Sequence, residues 1–137
     1  MVDSLWQSEV RDYEVDFQGI VNNAVYFQYF SQARAHFLKE LGVNLIECAK
    51  SGINIVLMKT EISYKKSLTF GDQFYVKSTI KRQSHFKFII TQALYKNNSP
   101  QVITESSNLI CCINQKTNKP CVIDALNRFK IANELTS

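Results

Sequence analysis

The chain has 137 residues, of which 45% are apolar and 20% charged, and its formal net charge is +4. This length accommodates one compact domain, residues 1–137, and excludes two full ones. The composition is ordinary for a globular protein, and so mild a positive charge specifies no partner by itself.

The cysteines and the apolar runs indicate a cellular compartment. Cys48, Cys111, Cys112 and Cys121 form no C-x-x-C pair, so we expect reduced thiols and neither a metal site nor a disulfide framework. No apolar run reaches the roughly 20 residues of a membrane span, and residues 1–4 show no signal-peptide pattern. We therefore predict a cytoplasmic protein without a membrane span.

The first third of the chain predicts a strand and then a long helix. Residues 5–15 alternate weakly in polarity, as a strand does. From residue 24 to 41 apolar side chains recur every three or four positions, with Asn22 or Asn23 as N-cap and Gly42 after the last turn. Further apolar residues lie outside the main face, so we expect protein to enclose most of this helix.

The remainder is typical of β-structure. A short second helix is predicted at 44–51 and a terminal helix at 124–134. Short polar turns between the strands favour antiparallel neighbours. We predict an α+β fold in which a sheet of about five strands curls around one long helix; the alternative is a helix lying on an open sheet. The four later strands are predicted at 53–64, 73–82, 86–95 and 101–114.

One segment carries most of the functional information. Residues 11–26 place an acidic residue, Asp16, before a turn at Gly19, and two Asn residues then open the long helix. A carboxylate therefore lies beside a helix N-terminus. The carboxylate can activate or deliver a nucleophile, and the helix N-terminus can hold a developing negative charge. This pairing suits acyl transfer.

Residues 11–26 resemble the hot-dog fold thioesterases of the 4-hydroxybenzoyl-CoA thioesterase family, which carry Asp-x-x-Gly-(Ile/Val/His)-Val before a Tyr that starts the long helix. Residues 64–72 resemble the family's Tyr-x-x-Pro-Leu-x-x-Gly-Asp, with Ser67 in place of Pro. The strongest likeness within the family is to the plant acyl-lipid thioesterases and their bacterial relatives. Asn23 stands where the Tol-Pal-associated bacterial thioesterases have His, so a His-assisted mechanism is not implied.

The resemblance implies hydrolysis of acyl-CoA or acyl-carrier-protein thioesters of medium or long fatty acyl groups, within fatty acid metabolism. Asp16 is the predicted general base or nucleophile, and both routes stay open. Asn22, Asn23 and Gly19 complete the predicted catalytic set. Each Asn would cap the helix, donate a side-chain hydrogen bond to the thioester carbonyl or orient water. Gly19 would permit a positive φ or a close approach of the backbone to the substrate. A backbone N–H near Asn23 or Ala24 is the predicted oxyanion donor.

Two further acids compete with Asp16. On a continuous strand Asp12, Glu14 and Asp16 would share one face, so two of them would flank the site. The resemblance favours Asp16, and we interpret Glu14 as a solvated neighbour.

Ligand contacts are predicted at two places. Tyr26 and Phe30 on the helix are candidates for the acyl pocket, although the same pattern is typical of a core. In the densest basic stretch, Arg82, Ser84 and Lys81 are candidates for the phosphates of coenzyme A, a solvated hairpin end being the alternative. Coenzyme A or pantetheine would enter as part of the substrate, and no separate cofactor or metal is predicted.

The resemblance also implies a homodimer or homotetramer with active sites between subunits, because hot-dog folds join strands across a two-fold axis.

The sequence leaves two alternative functions open. A non-catalytic acyl-CoA binding module would bind without turnover. A hot-dog dehydratase usually needs a His near the helix start, whereas His36 and His85 lie elsewhere. No motif indicates a nucleic-acid partner.

Overall fold

The structure, a computed structural model, describes residues 3–131. Within this range the chain forms six strands, two α-helices and two short 3₁₀ turns in an α+β arrangement. In chain order they are β1 (Asp3–Glu9), a 3₁₀ turn (Asp12–Glu14), α1 (Asn23–Glu40), α2 (Leu45–Lys50), β2 (Ile53–Tyr64), β3 (Gln73–Arg82), β4 (Lys87–Lys96), β5 (Val102–Asn114), β6 (Lys119–Cys121) and a 3₁₀ turn (Asp124–Leu126).

All strand pairs are antiparallel, and the sheet order is β1-β3-β4-β5-β2, with β6 added beside the end of β5. β1 and β2 therefore form the two edges of the main sheet. β2 pairs with β5 from Ile53 opposite Asn114 to Tyr64 opposite Thr104, and the register shifts once around Met58. The short links between β3, β4 and β5 explain this order, because they can join only neighbouring antiparallel strands.

Helix α1 forms where its local chemistry predicts. The Asn22 side chain accepts a hydrogen bond from the Ala24 N–H at 2.9 Å, which caps the first turn. Gly42, with φ of +94°, follows the last turn in the left-handed conformation. The buried positions recur every three or four residues along one face: Tyr26, Tyr29, Phe30, Ala33, Arg34, Phe37 and Leu38.

The long helix lies over one half of the sheet. It packs mainly on β1 and β3, and its buried face meets the inward side chains of β3 and β4. Edge strand β2 is less covered, and its inward residues Ile55, Leu57 and Ile62 are only half-buried. A groove therefore remains between α1 and β2. Because only one face of α1 is buried within the chain, the expectation of a helix enclosed on most sides is wrong for the single subunit.

The fold confirms the prediction of a sheet curled around one long helix, the hot-dog arrangement, with a short sixth strand added. The bounds of β2 and β3 agree residue for residue, and those of α1, α2, β4 and β5 agree within a residue.

Two predicted elements are wrong in extent. The first strand ends at Glu9, because the 3₁₀ turn at Asp12–Glu14 breaks the extended backbone, so Asp12, Glu14 and Asp16 do not share a strand face. At the other end, only Asp124–Leu126 forms a helical turn of the predicted helix at 124–134, whose last three residues lie outside the described range.

Candidate active site

The loop that carries Asp16 is a tight hairpin held against the rest of the chain. The Asp16 N–H donates to the Ile20 carbonyl at 3.0 Å, and the Gly19 N–H donates to the Asp16 carbonyl at 2.9 Å. Gly19 has φ of +83°, as predicted for this turn, and a Cβ there would meet nothing within 4 Å. The requirement for glycine is therefore conformational. An antiparallel bridge between Val15 and Val21 closes the hairpin.

The Asp16 carboxylate is fixed by one of its two oxygens. Oδ1 accepts a hydrogen bond from the Gln18 N–H at 2.8 Å, which is an Asx turn. Oδ2 has no hydrogen-bond partner, and the carboxylate makes no salt bridge, among residues 3–131. The side chain is half-buried. The site thus presents an oriented carboxylate with one oxygen open to a ligand.

The start of α1 presents one backbone donor. The Ala24 N–H is used by the Asn22 cap, and the Val25 N–H donates to the Asn22 carbonyl at 2.9 Å. The Asn23 N–H has no partner within the described part of the chain. Of the two predicted oxyanion donors, Asn23 is therefore the one left available. The Asn23 side chain is exposed, and the backbone carbonyl of Asn23 accepts a hydrogen bond from the Tyr64 hydroxyl at 3.2 Å.

Glu14 is buried, at 8% exposed, so its interpretation as a solvated neighbour is wrong. Its Oε1 accepts hydrogen bonds from the Tyr29 hydroxyl and the Arg11 N–H, both at 2.8 Å. Burial, and then the hydrogen bond and charge of Glu14, raise the pKa of Tyr29 above its ordinary value. Glu14 thereby ties the loop of Asp16 to helix α1. The 3₁₀ turn at Asp12–Glu14 directs the Glu14 side chain inward. The weak alternation of polar and apolar residues in the sequence does not predict this turn.

Tyr26 and Phe30, the predicted acyl contacts, both lie in the core at 1% exposed. The Tyr26 hydroxyl accepts a hydrogen bond from the Leu68 N–H at 2.9 Å, and its ring lies 5.9 Å from that of Tyr64. Tyr26 thus fastens the helix start to the segment before β3. Contact of either side chain with an acyl group stays a prediction.

The basic stretch lies at the far end of the sheet from Asp16. Arg82 is 6% exposed, and its guanidinium donates to the carbonyl oxygens of four residues and lies over the Phe88 ring at 5.3 Å. In this structure Arg82 therefore fastens the segment after β6 to the β3–β4 turn, which leaves its predicted phosphate contact without support. The exposed Lys81 and half-buried Ser84 remain at the surface. The four carbonyl oxygens belong to Ser84, His85, Asn127 and Phe129.

A buried polar network beneath α1 was not anticipated from the sequence. Arg34 Nη1 donates to Gln92 Oε1 and Asn108 Oδ1, both at 3.2 Å. Gln92 and Asn108 occupy inward positions of β4 and β5 and are fully buried. The available signal was the polar side chains at inward positions of β4 and β5. Ser78, Thr60, Ser106 and the carbonyls of Phe30 and Ile90 complete the network.

The family model described as the Thioesterase-like superfamily matches residues 10–129 of this chain. The chain belongs to this superfamily. The match includes the Asp16 hairpin, all of α1 and every strand from β2 to β6.

Individual relatives agree with this family. An acyl-acyl carrier protein thioesterase of Arabidopsis thaliana is 32% identical over 79% of this chain, which spans 57% of that relative's length. A putative esterase of Aquifex aeolicus is 34% identical over 67% of this chain and 72% of its own. The crystal structure of a 1,4-dihydroxy-2-naphthoyl-CoA thioesterase from Synechocystis superposes with a TM-score of 0.84, at 19% identity, over 89% of this chain and 90% of its own.

The structural likeness establishes the hot-dog fold for this member of the Thioesterase-like superfamily. In residues 3–131 no helix combines the length and apolar character that crossing a membrane requires.

Proposed function

We propose that this chain hydrolyses acyl thioesters, of coenzyme A or of acyl carrier protein, to a free acid and a thiol. The observation that carries this proposal is the pairing of Asp16 with the start of α1. Within residues 3–131 the carboxylate has one oxygen free of protein partners, and the hairpin that holds it leads directly into a helix whose first N–H has no partner there. A carboxylate and a preorganised oxyanion donor are what acyl transfer requires.

In the proposed reaction the thioester carbonyl accepts a hydrogen bond from the Asn23 N–H. As the nucleophile adds, negative charge develops on that oxygen, and the positive end of α1 stabilises it. Asp16 either takes a proton from an attacking water or adds to the carbonyl itself, forming an anhydride that water then hydrolyses. Both routes release the thiol and leave the acid. Gly19 keeps the Asp16 hairpin in its turn conformation, and Asn22 caps the first turn of α1.

We further propose that a second subunit completes the site. Edge strand β2 exposes Val56 and Met58, at 41% and 51%, together with unpaired backbone groups, and an apolar open edge favours pairing with another strand. Phe17, next to Asp16, is 98% exposed. A homodimer, or a homotetramer built from it, would cover these side chains.

A second subunit would also account for the distance to the basic stretch. β3 is about 30 Å long, and Lys81 and Ser84 lie beyond its far end from the Asp16 hairpin. We propose that these two residues contact the phosphates of coenzyme A bound mainly to another subunit, while Arg82 holds their turn in place.

The relative named as an acyl-acyl carrier protein thioesterase supports a fatty acyl substrate and a role in fatty acid metabolism. The groove between α1 and β2 offers such a chain an apolar surface. A cytoplasmic site of action agrees with four cysteines that are free thiols.

The test is release of free thiol from a panel of acyl-CoAs of varied chain length, one aryl-CoA and one acyl-carrier-protein thioester. Asp16→Asn retains an oxygen for the Gln18 N–H and removes the charge, so we expect kcat to fall about 100-fold or more. Asp12→Asn, an exposed acid in the same loop, is the matched control and should retain wild-type rates. Equal rates for Asp16→Asn and wild type would contradict the role of Asp16. Binding of acyl-CoA without any turnover would instead identify a binding module.

A further inference from the structure

Arg34 is a buried cation that no carboxylate of the described residues neutralises. It is 9% exposed, and it makes no salt bridge among residues 3–131. Within that range its Nη1 alone is hydrogen-bonded, to the neutral side chains of Gln92 and Asn108. Burial lowers the pKa of the Arg34 guanidinium from its ordinary value. A buried guanidinium that meets only amides is costly, because amide dipoles replace lost hydration incompletely.

Arg34 lies in the wall of a cavity. Within the described residues, every fully enclosed side-chain nitrogen or oxygen has a hydrogen-bond partner. Nε and Nη2 of Arg34 have no such partner there, so they are not fully enclosed. Arg34 lines a cavity of about 190 Å³ between α1, α2 and β2. Its other walls are mostly apolar: Ser31, Ala35, Leu38, Leu45, Ile55, Leu57 and Ile110.

This cavity lies farther along α1 and β2 than the candidate active site. Tyr64, at one end of β2, donates to the Asn23 carbonyl at the helix start, whereas Ile55, near the other end, lines the cavity. Arg34 lies roughly 16 Å beyond Asn23 along α1. Phe27, which is 39% exposed, shares its helix face with the cavity-lining residues one and two turns later. The start of α1 and the cavity therefore lie along the same two elements, α1 and β2, roughly 16 Å apart along the helix.

We propose that the cavity receives the end of the acyl group remote from the thioester, and that Arg34 selects acyl groups carrying a carboxylate, or a weaker oxygen acceptor, at that end. This inference rests on the proposed thioesterase function. A carboxylate supplies the missing countercharge and accepts from two guanidinium nitrogens at once, as Nε and Nη2 are placed to allow. An acyl chain ending in methyl leaves both donors unpaired.

The experiment compares matched substrates on the full chain. Octanoyl-, dodecanoyl- and hexadecanoyl-CoA are each paired with the thioesters that end in a hydroxyl and in a carboxylate. At the chain length that fills the groove, we expect kcat/KM to rise from methyl to hydroxyl to carboxylate, by about tenfold or more overall. Equal or higher kcat/KM for the methyl-ended substrate at every length would overturn the inference.

Two variants on α1 test Arg34 without removing its contribution to folding. Ser31→Glu places a carboxylate on the cavity wall one turn before Arg34, where it supplies an internal countercharge. We expect it to abolish the preference for the carboxylate. Gln32→Glu makes the same charge change at an exposed neighbour that does not line the cavity, and the preference should persist. The same loss of preference in both variants would overturn the role of Arg34.

A binding measurement separates this inference from the thioesterase function. Non-hydrolysable thioethers of coenzyme A, ending in methyl or carboxylate, are titrated into wild type and Arg34→Lys by calorimetry. We expect wild type to bind the carboxylate-ended thioether about tenfold more tightly, and Arg34→Lys to lose part of that difference. If no thioester is turned over but this difference remains, the proposed hydrolysis fails and the inference stands. Equal Kd values in wild type would overturn the inference.

Discussion

Glu14 shows how one side chain positions the candidate active site. Its carboxylate is buried and accepts two hydrogen bonds at 2.8 Å, one from its own loop and one from Tyr29 on α1. The backbone carbonyl of Glu14 also accepts from the Asn22 N–H at 3.2 Å. One residue thereby holds the Asp16 hairpin and the helix cap in a fixed relation. Glu14, two positions before the candidate catalytic acid Asp16, thus contributes to the site by holding its geometry.

Tyr29→Phe should lower the free energy of unfolding by about 1–3 kcal/mol, because it leaves a buried carboxylate short of one donor. It should also lower kcat, since the Asp16 hairpin loses its tie to α1. Chemical denaturation and thiol release measure the two effects. Tyr13→Phe, in the same loop but 75% exposed, is the control and should change stability by less than about 0.5 kcal/mol. Equal stability of the two variants would contradict the positioning role of Glu14.

At the scale of elements, Arg82 joins the β3–β4 turn to the segment that follows β6. Its guanidinium donates to carbonyls on both sides, the shortest being His85 at 2.7 Å and Phe129 at 2.9 Å. Ile131 forms a parallel bridge with Arg82 as well. The neighbouring Lys81 is exposed. The two adjacent basic residues therefore have different roles: Arg82 stabilises the fold, and Lys81 lies at the surface.

Arg82→Gln should destabilise the protein by about 2–4 kcal/mol, because several carbonyls lose a charged donor together. Lys81→Gln makes the same charge change at the surface, and we expect a shift of at most about 0.5 kcal/mol. For ligand binding we expect the larger effect from Lys81→Gln, which should raise the KM for acyl-CoA by a fewfold and leave kcat unchanged. Denaturant midpoints measure the stability of the two variants, and steady-state kinetics measure their KM and kcat. A fully stable Arg82→Gln variant with weakened CoA binding would restore Arg82 as a phosphate ligand.

At the scale of the whole molecule, the main feature is that helix α1 covers one half of the sheet and leaves the other half less covered. Helix α1 lies over β1 and β3, and the opposite edge carries half-buried and exposed apolar side chains along β2. An open apolar edge favours association, because pairing satisfies backbone groups and removes apolar surface from water. The single chain thus contains the candidate catalytic pair, Asp16 and the start of α1, but does not fully enclose it.

We expect the protein to have a mass in solution of at least twice the 15.8 kDa of one chain. Met58→Lys should shift it toward the monomer and lower kcat/KM in parallel, because a charge on the β2 edge opposes pairing. Ile46→Lys, at a position on α2 that is 68% exposed, is the control and should keep the wild-type mass. Light scattering coupled to gel filtration gives the masses. A wild-type monomer with full activity would contradict a shared site.

The sequence by itself determined strands β2 to β5, the long helix and the turn at Gly19, because periodicity, caps and turn residues act over a few neighbouring positions. Only the tertiary structure decided which charged side chains are buried. Arg82 bonds to residues 45 and 47 positions away, and Arg34 bonds to a residue 74 positions away. Glu14 is buried by a tyrosine 15 positions on. Burial of a charge depends on which distant elements pack against it, and local sequence does not contain that information.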